Sequence, residues 1–191
     1  CASACGTFVP PLIVFPRVRM KAELIDKAPV GTIGACSKSG WINEELFGKW
    51  FEHFLQFVQP KSKSAPVVLI LDGHSSHTKN IDVILKAREN NCVLLSLPSH
   101  CTHRLQPLDI SFFKSVNGFY DAEVQCWLRN HPGRVVTEFQ IAELFNAAYG
   151  KAANVQNGCS GFRKAGINPF RRDLFSELDF VPSSMTDKPL D

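Results

Sequence analysis

The chain is poor in tyrosine and methionine, with two of each among 191 residues. No apolar run approaches the roughly 20 residues that a membrane-crossing helix requires, so no segment of this sequence reads as a helical span. There is no Cys-x-x-Cys pair. The seven cysteines, odd in number and irregularly spaced, read as reduced intracellular thiols and not as a secreted disulfide framework. A glycine-rich phosphate loop is missing, as is a convincing Ser-His-Asp order. No compact Lys/Arg run stands out. The formal net charge of +3 is a mild basic bias that permits a nucleic-acid partner without requiring one. An initiator methionine is also lacking: the chain opens at Cys1 and reaches its first methionine at Met20. Cys1 to Phe15 has neither the basic head nor the apolar stretch of a targeting peptide, so the expectation is a fragment whose beginning has been lost.

What is present suits one sizeable apolar core. Phenylalanine is used 15 times, and 45% of the residues are hydrophobic. The expected organisation is a single domain over residues 1–175 followed by a flexible polar tail, 176–191.

The runs Gly6–Val9 and Leu12–Phe15 favour strand but are split by Pro10-Pro11, which predicts an edge or bent strand. Val30 to Cys36 is a second strand candidate. Asn43 suits a helix cap and Glu44-Glu45 the positive end of the helix dipole, with Leu46, Phe47, Trp50, Phe51, Phe54, Leu55 and Val58 recurring at helical spacing until Pro60. The uniformly apolar Pro66–Leu71 predicts a strand covered on both faces. A short helix follows over Asn80–Asn90 with Ile81, Ile84 and Leu85 inward, then a strand over Cys92–Leu97. A long amphipathic helix is expected from Asp109 to about Asn130, and Thr137–Gln140 opens a last helix through Ala153 as a capping box. Trp41, Trp50 and Trp127 read as core, and Cys92, Cys126 and Cys159 as small buried hydrophobes. The order gives an α/β layered domain whose two opening strands form the antiparallel side of a mixed sheet.

Two carboxylates stand out. Asp72 closes the apolar run Val67–Leu71, and a buried strand delivers its last residue rigidly to the sheet edge. Asp109 follows Pro107 at the mouth of the long helix. Mg²⁺ prefers oxygen ligands and keeps several waters, so one or two carboxylates per ion suffice alongside substrate phosphate oxygens. From spacing alone, a turn residue at Asp72 and a plain cap at Asp109 are an equal reading.

The residues around the pair carry a resemblance. Leu69-Ile70-Leu71-Asp72-Gly73-His74-Ser75-Ser76-His77 is similar to the second catalytic block of DDE-type transposases of the pogo/Tigger (jerky-like) branch of Tc1/mariner. Leu97 to Asp109, with its Leu105-Gln106-Pro107-Leu108-Asp109 core, resembles the third block. Gly6–Phe15, Gly40–Asn43 and Gly161–Phe170 resemble further landmarks of that family, in order, so that the matches run from about Ala4 to Phe170.

The resemblance implies an RNase H-like mixed sheet flanked by helices, with a C-terminal helical extension. It implies metal-dependent DNA strand cleavage and transfer, with Asp72 and Asp109 as catalytic acids and metal ligands for two Mg²⁺ or Mn²⁺ ions. The family's first acid would lie before Cys1, so the site in this sequence is expected to be incomplete. DNA is the implied partner, a homodimer is compatible, and the nucleus is the implied location. A catalytically inactive descendant serving as a nuclear DNA-associated or protein-interaction module is the alternative, and an unrelated metal-dependent hydrolase using Asp72 a more distant one.

His74, His77, Lys79, Arg104 and Lys114 are candidate DNA-contacting residues. Arg88 and the cluster Arg163, Lys164, Arg171 and Arg172 could also neutralise phosphates, although charged helix positions are more often solvated faces. His74, His77, His100, Cys101 and His103 invite a zinc reading, which the absence of paired cysteines weakens. The plainer reading is that these histidines flank the acidic pocket. Phe162, Ile167 and Phe170 are expected to dock on the core.

Overall fold

The computed structural model describes residues 1–60, 65–74, 77, 79–98, 101–176 and 179. Its elements are β1 (Leu12–Pro16), β2 (Ile33–Ser37), α1 (Glu44–Val58), β3 (Val67–Leu71), α2 (Ile81–Glu89), β4 (Cys92–Ser96), α3 (Thr102–Leu105), α4 (Phe113–Asn130), α5 (Glu138–Ala152) and α6 (Val155–Lys164). A π-helical turn, Leu108–Phe112, leads into α4. The class is α/β, with small parallel sheets flanked by helices.

The sheets are not mixed as expected. β1 pairs with β2 in parallel, from Leu12 opposite Ile33 to Pro16 opposite Ser37, and β3 pairs with β4 in parallel, from Val67 opposite Cys92 to Leu71 opposite Ser96. The reason is the link. Between Pro16 and Ile33 the chain makes a crossover through the 3₁₀ turn Ala22–Ile25, anchored by the fully buried Leu24, and not the tight hairpin an antiparallel pair would use. Antiparallel pairing among the described residues is confined to one isolated bridge, Ala2 to Phe8, so Gly6–Val9 is not a strand.

α1 forms where its sequence signals place it. The Asn43 side chain accepts from the Leu46 amide at 2.8 Å, and Gln59 ends the helix in the left-handed region ahead of Pro60. Phe47, Phe51 and Phe54 on its inner face meet Leu69 of β3, Val83 and Ala87 of α2 and Cys92 of β4 in the main core. A second core joins Phe112 and Val116 to Ala148 and Ala152 of α5.

Alternate residues of β3 and β4 face opposite ways, which sets how much of this sheet is covered. Leu69 and Cys92 are buried, but Val68 is 52% exposed and Val93 and Leu95 nearly as open. Among the described residues one face is therefore packed and the other apolar and open, in place of the two-sided coverage expected. α2 likewise turns Val83 and Ala87 inward and leaves Ile81 69% exposed. Apolar residues occupy both faces of that short helix, and contact with α1 and β4 selects the smaller pair.

Trp41 also departs from expectation. It is 77% exposed, held in a turn by Ser37 Oγ donating to its carbonyl at 2.8 Å, because it precedes the periodic part of α1. Phe170 is 80% exposed and not docked, and Cys126 is exposed whereas Cys92 is buried. Within the tail only Ser176 and Asp179 fall among the described residues.

Candidate active site

β3 ends at Leu71, whose carbonyl still accepts from the Leu97 amide at 2.8 Å, and the next residue is Asp72. The carboxylate leaves the sheet where ladder pairing stops. Asp72 Oδ1 accepts from the His74 amide at 3.2 Å, an Asx-type turn, and lies 2.8 Å from His77 Nδ1. The His77 ring lies over Phe47 with centroids 4.2 Å apart and sits 5.6 Å from the His74 ring. Burial pushes the His77 imidazole below its ordinary range, Asp72 opposes that shift, and His74 adds to it. The imidazole is accordingly neutral at pH 7. The Asp72 side chain remains 40% exposed.

Asp109 sits in the π-helical turn after Pro107, which is buried in helical geometry at φ −54°. The Asp109 and Ile110 amides both donate to the Gln106 carbonyl, at 3.1 and 3.2 Å, and the Phe113 amide reaches back to Leu108. That last spacing is five residues and defines the π turn. Asp109 does not cap a helix, and the turn has no side-chain cap. Partial desolvation raises the Asp109 carboxyl above its ordinary range, and the charge of Asp72 raises it further. Carboxylate oxygens such as these suit a hard divalent cation better than a soft one.

Of the expected cations, Lys79 is exposed just ahead of α2 and Lys114 is exposed in the first turn of α4. Arg104, in α3, pairs with Asp179 and lies 5.9 Å from the Phe175 ring, so the C-terminal segment already engages it. Arg88 lines a cavity of about 470 Å³ together with Leu71, His77 and Ser96. Arg163, Lys164, Arg171 and Arg172 are all exposed. No three His, Cys, Asp or Glu side chains converge as a metal-holding group among the described residues, and His100 of the zinc reading lies outside them.

The model of the DDE superfamily endonuclease family matches residues 1–153, which contain both acids. The chain belongs to this family. The DDE domain is also 27% identical over 64% of its length to a pogo transposable element with KRAB domain from Mus musculus, and 28% identical over the same share to its Homo sapiens counterpart. In each case it covers 18% of the relative. These relatives support the pogo-like branch of the family. Over 98% of its length it is 31% identical to an MFS-type transporter of Cochliobolus lunatus, covering 21% of that protein. The chain therefore spans about a fifth of the length of the curated relatives it matches. No described helix of the DDE domain is long and apolar enough to cross a membrane. No solved structure matches.

Several residues that shape the site of the DDE domain escape sequence reading. Phe47 is legible as core, but its second role as the platform under His77 depends on α1 passing beside the β3 tip. The π turn has no simple sequence signal. α6 carries little local helix signal, since Gly158 and Gly161 lower its intrinsic propensity. The available signal is its cap, Asn154, whose side chain accepts from the Asn157 amide at 2.9 Å.

Proposed function

We propose that the DDE domain binds divalent metal through Asp72 and Asp109 and serves metal-dependent cleavage and transfer of DNA strands. The supporting observation is the placement of the two carboxylates, one at the tip of a parallel strand and the other on a distorted helical turn, both within the residues that the family matches. An RNase H-like arrangement is consistent with a strand-tip acid on the β3–β4 pair. The donor set suits Mg²⁺ or Mn²⁺, with two ions in an intact site. A bound ion of this kind polarises the phosphodiester and lowers the pKa of an attacking water.

The protein's own groups prepare that chemistry. His77, packed on Phe47 with its Nδ1 2.8 Å from Asp72 Oδ1, is proposed to orient the carboxylate. His74, Lys79, Arg104 and Lys114 are proposed to meet DNA phosphates around the acids. They would contribute affinity and position without reading sequence. Kinship with pogo elements supports a nuclear protein acting on DNA.

The test is Mn²⁺ titration followed by paramagnetic resonance, with DNA nicking measured in parallel. Asp72→Asn and Asp109→Asn should each weaken Mn²⁺ binding at least about tenfold, since losing even an outer partner of a metal ligand costs about that much. Nicking in the protein that carries this domain should vanish with either change. Wild-type affinity retained in both variants would sink the assignment.

A further inference from the structure

We infer that α6 is a positioning element for Asp109: the Ser111 hydroxyl and the bare face of Gly161 hold the turn that carries this carboxylate. The inference rests on the metal-binding reading of Asp109 and adds residues that reading does not contain.

A π-helical turn is rare and occurs mostly as a single turn inside an α-helix, frequently at a functional site. Here it is supported from one side. Gly161 is buried, and a Cβ added to it would meet Ser111 Oγ at 2.7 Å and press still closer on the Pro107 carbonyl. The α6 backbone therefore runs directly against the residue two positions before Asp109. Glycine is required there for the approach, not for its conformational freedom.

A hydrogen-bond bridge crosses the same contact. Ser111, two positions after Asp109, places its hydroxyl 2.8 Å from the Asn157 carbonyl of α6 and 3.0 Å from the Pro107 carbonyl of its own turn. A hydroxyl has one proton, so it donates to one of these at a time while staying between them. One helical turn further on, the Asn157 side chain donates to Ser115 Oγ at 3.3 Å and to the Ala152 carbonyl at 2.8 Å. On its other side α6 is set by the amino-terminal segment, since a Cβ on Gly158 would lie 2.7 Å from Gly6 Cα. α6 is thus a wedge with fixed contacts on two sides, and Asp109 stands on the turn it presses. Misplacing a reacting group by about 1 Å can cost roughly a hundredfold in rate, so such a support bears on chemistry although no α6 side chain is assigned to the metal.

The experiment is residue-resolved amide hydrogen exchange on the full chain, combined with Mn²⁺ titration. The Asp109 and Ile110 amides, both bonded to Gln106, report the turn. Ser111→Ala removes the bridge without adding bulk. It should speed exchange at these two amides by roughly fivefold, the scale of one lost hydrogen bond, and weaken Mn²⁺ binding by a similar factor. Amides of β3 should be unchanged. Gly161→Ala should give a larger effect at the same amides. Ser37→Ala, which removes a hydroxyl-to-carbonyl bond of the same length, to Trp41 at 2.8 Å in the turn between β2 and α1, is the control and should change neither readout.

Exchange that rises equally in β3 and at Asp109 would make Ser111 an ordinary stability contact and overturn the inference. So would unchanged Mn²⁺ affinity in a variant whose turn exchanges faster. If wild-type protein binds no Mn²⁺, the metal reading fails, and the exchange comparison alone decides whether α6 holds the turn.

Discussion

His77 holds Asp72 from one side and Phe47 from the other: its Nδ1 is 2.8 Å from Asp72 Oδ1, and its ring centroid is 4.2 Å from that of Phe47. An acid at the exposed tip of a strand is thereby tied to the main core through one imidazole. Phe47 is almost fully buried and also stacks on Trp50, with centroids 5.4 Å apart. Phe47→Ala should cost about 3–5 kcal/mol, the usual range for emptying a phenylalanine site in a core. Urea denaturation measures the loss. The change should also free His77, visible as an imidazole NMR titration moving toward the ordinary value of 6.5.

The imidazole gives a pH dependence whose sign is fixed. Burial lowers the folded-state pKa of His77 beneath 6.5, so the unfolded chain binds this proton more readily than the folded one. The stability associated with the neutral ring is present above 6.5 and is lost as pH falls below it. Melting temperature should therefore drop between about pH 7 and pH 5, and the drop should be shallower in His77→Gln. Parallel slopes in the two proteins would show that other groups carry the effect.

Asp109 has the opposite sign. Desolvation, and after it the charge of Asp72, raises its carboxyl, so its ionised form is disfavoured in the fold. What it contributes to stability is present below its ordinary value of 3.8 and is lost as pH rises past it. At pH 7 the Asp109→Asn protein should melt no lower than wild type, and about 1–2 °C higher if the repulsion is fully relieved. Saturating Mn²⁺ should reverse that order, because wild type gains stability from binding and the variant does not. Differential scanning calorimetry with and without Mn²⁺ decides it.

How much of this was legible follows from where the determining interactions lie. α1 was readable to the residue, since its cap, its periodic phenylalanines and its proline stop are all local. The β3 strand and the acid at its tip were readable for the same reason. The parallel pairing of β1 with β2 was not, because it depends on the path of a connecting segment whose anchor is the single residue Leu24. The inward face of α2 was misread because Ile81/Leu85 and Val83/Ala87 have the same helical spacing, and only tertiary contact chooses between them. The pairing of Arg104 with Asp179 joins residues far apart in sequence, which no local pattern signals.

Glycine positions separate propensity from packing. A Cβ at Gly150, in the interior of α5, would meet nothing within 4 Å, whereas at Gly158 in α6 it would strike Gly6. Gly150→Ala should stabilise by up to about 1 kcal/mol through helix propensity. Gly158→Ala should destabilise in spite of the same propensity gain, because the Gly6 contact is backbone and cannot move aside cheaply. Chemical denaturation of the two variants side by side should give shifts of opposite sign.

Arg104 offers a test of the proposed DNA path. Its guanidinium is paired with Asp179 and lies near the Phe175 ring, so a phosphate arriving at Arg104 must displace the C-terminal segment. Both partners are solvent-accessible, and an exposed pair of this kind is weak, so the competition is modest. Asp179→Asn should strengthen binding to duplex DNA by about threefold at low salt, with the gain fading as ionic strength rises and screening weakens the phosphate contact. Arg104→Gln should weaken binding and abolish the effect of the Asp179 change, since the two act through one contact. Fluorescence anisotropy over a salt series resolves both arms. An Asp179→Asn gain that survives in the Arg104→Gln background would remove Arg104 from the DNA path.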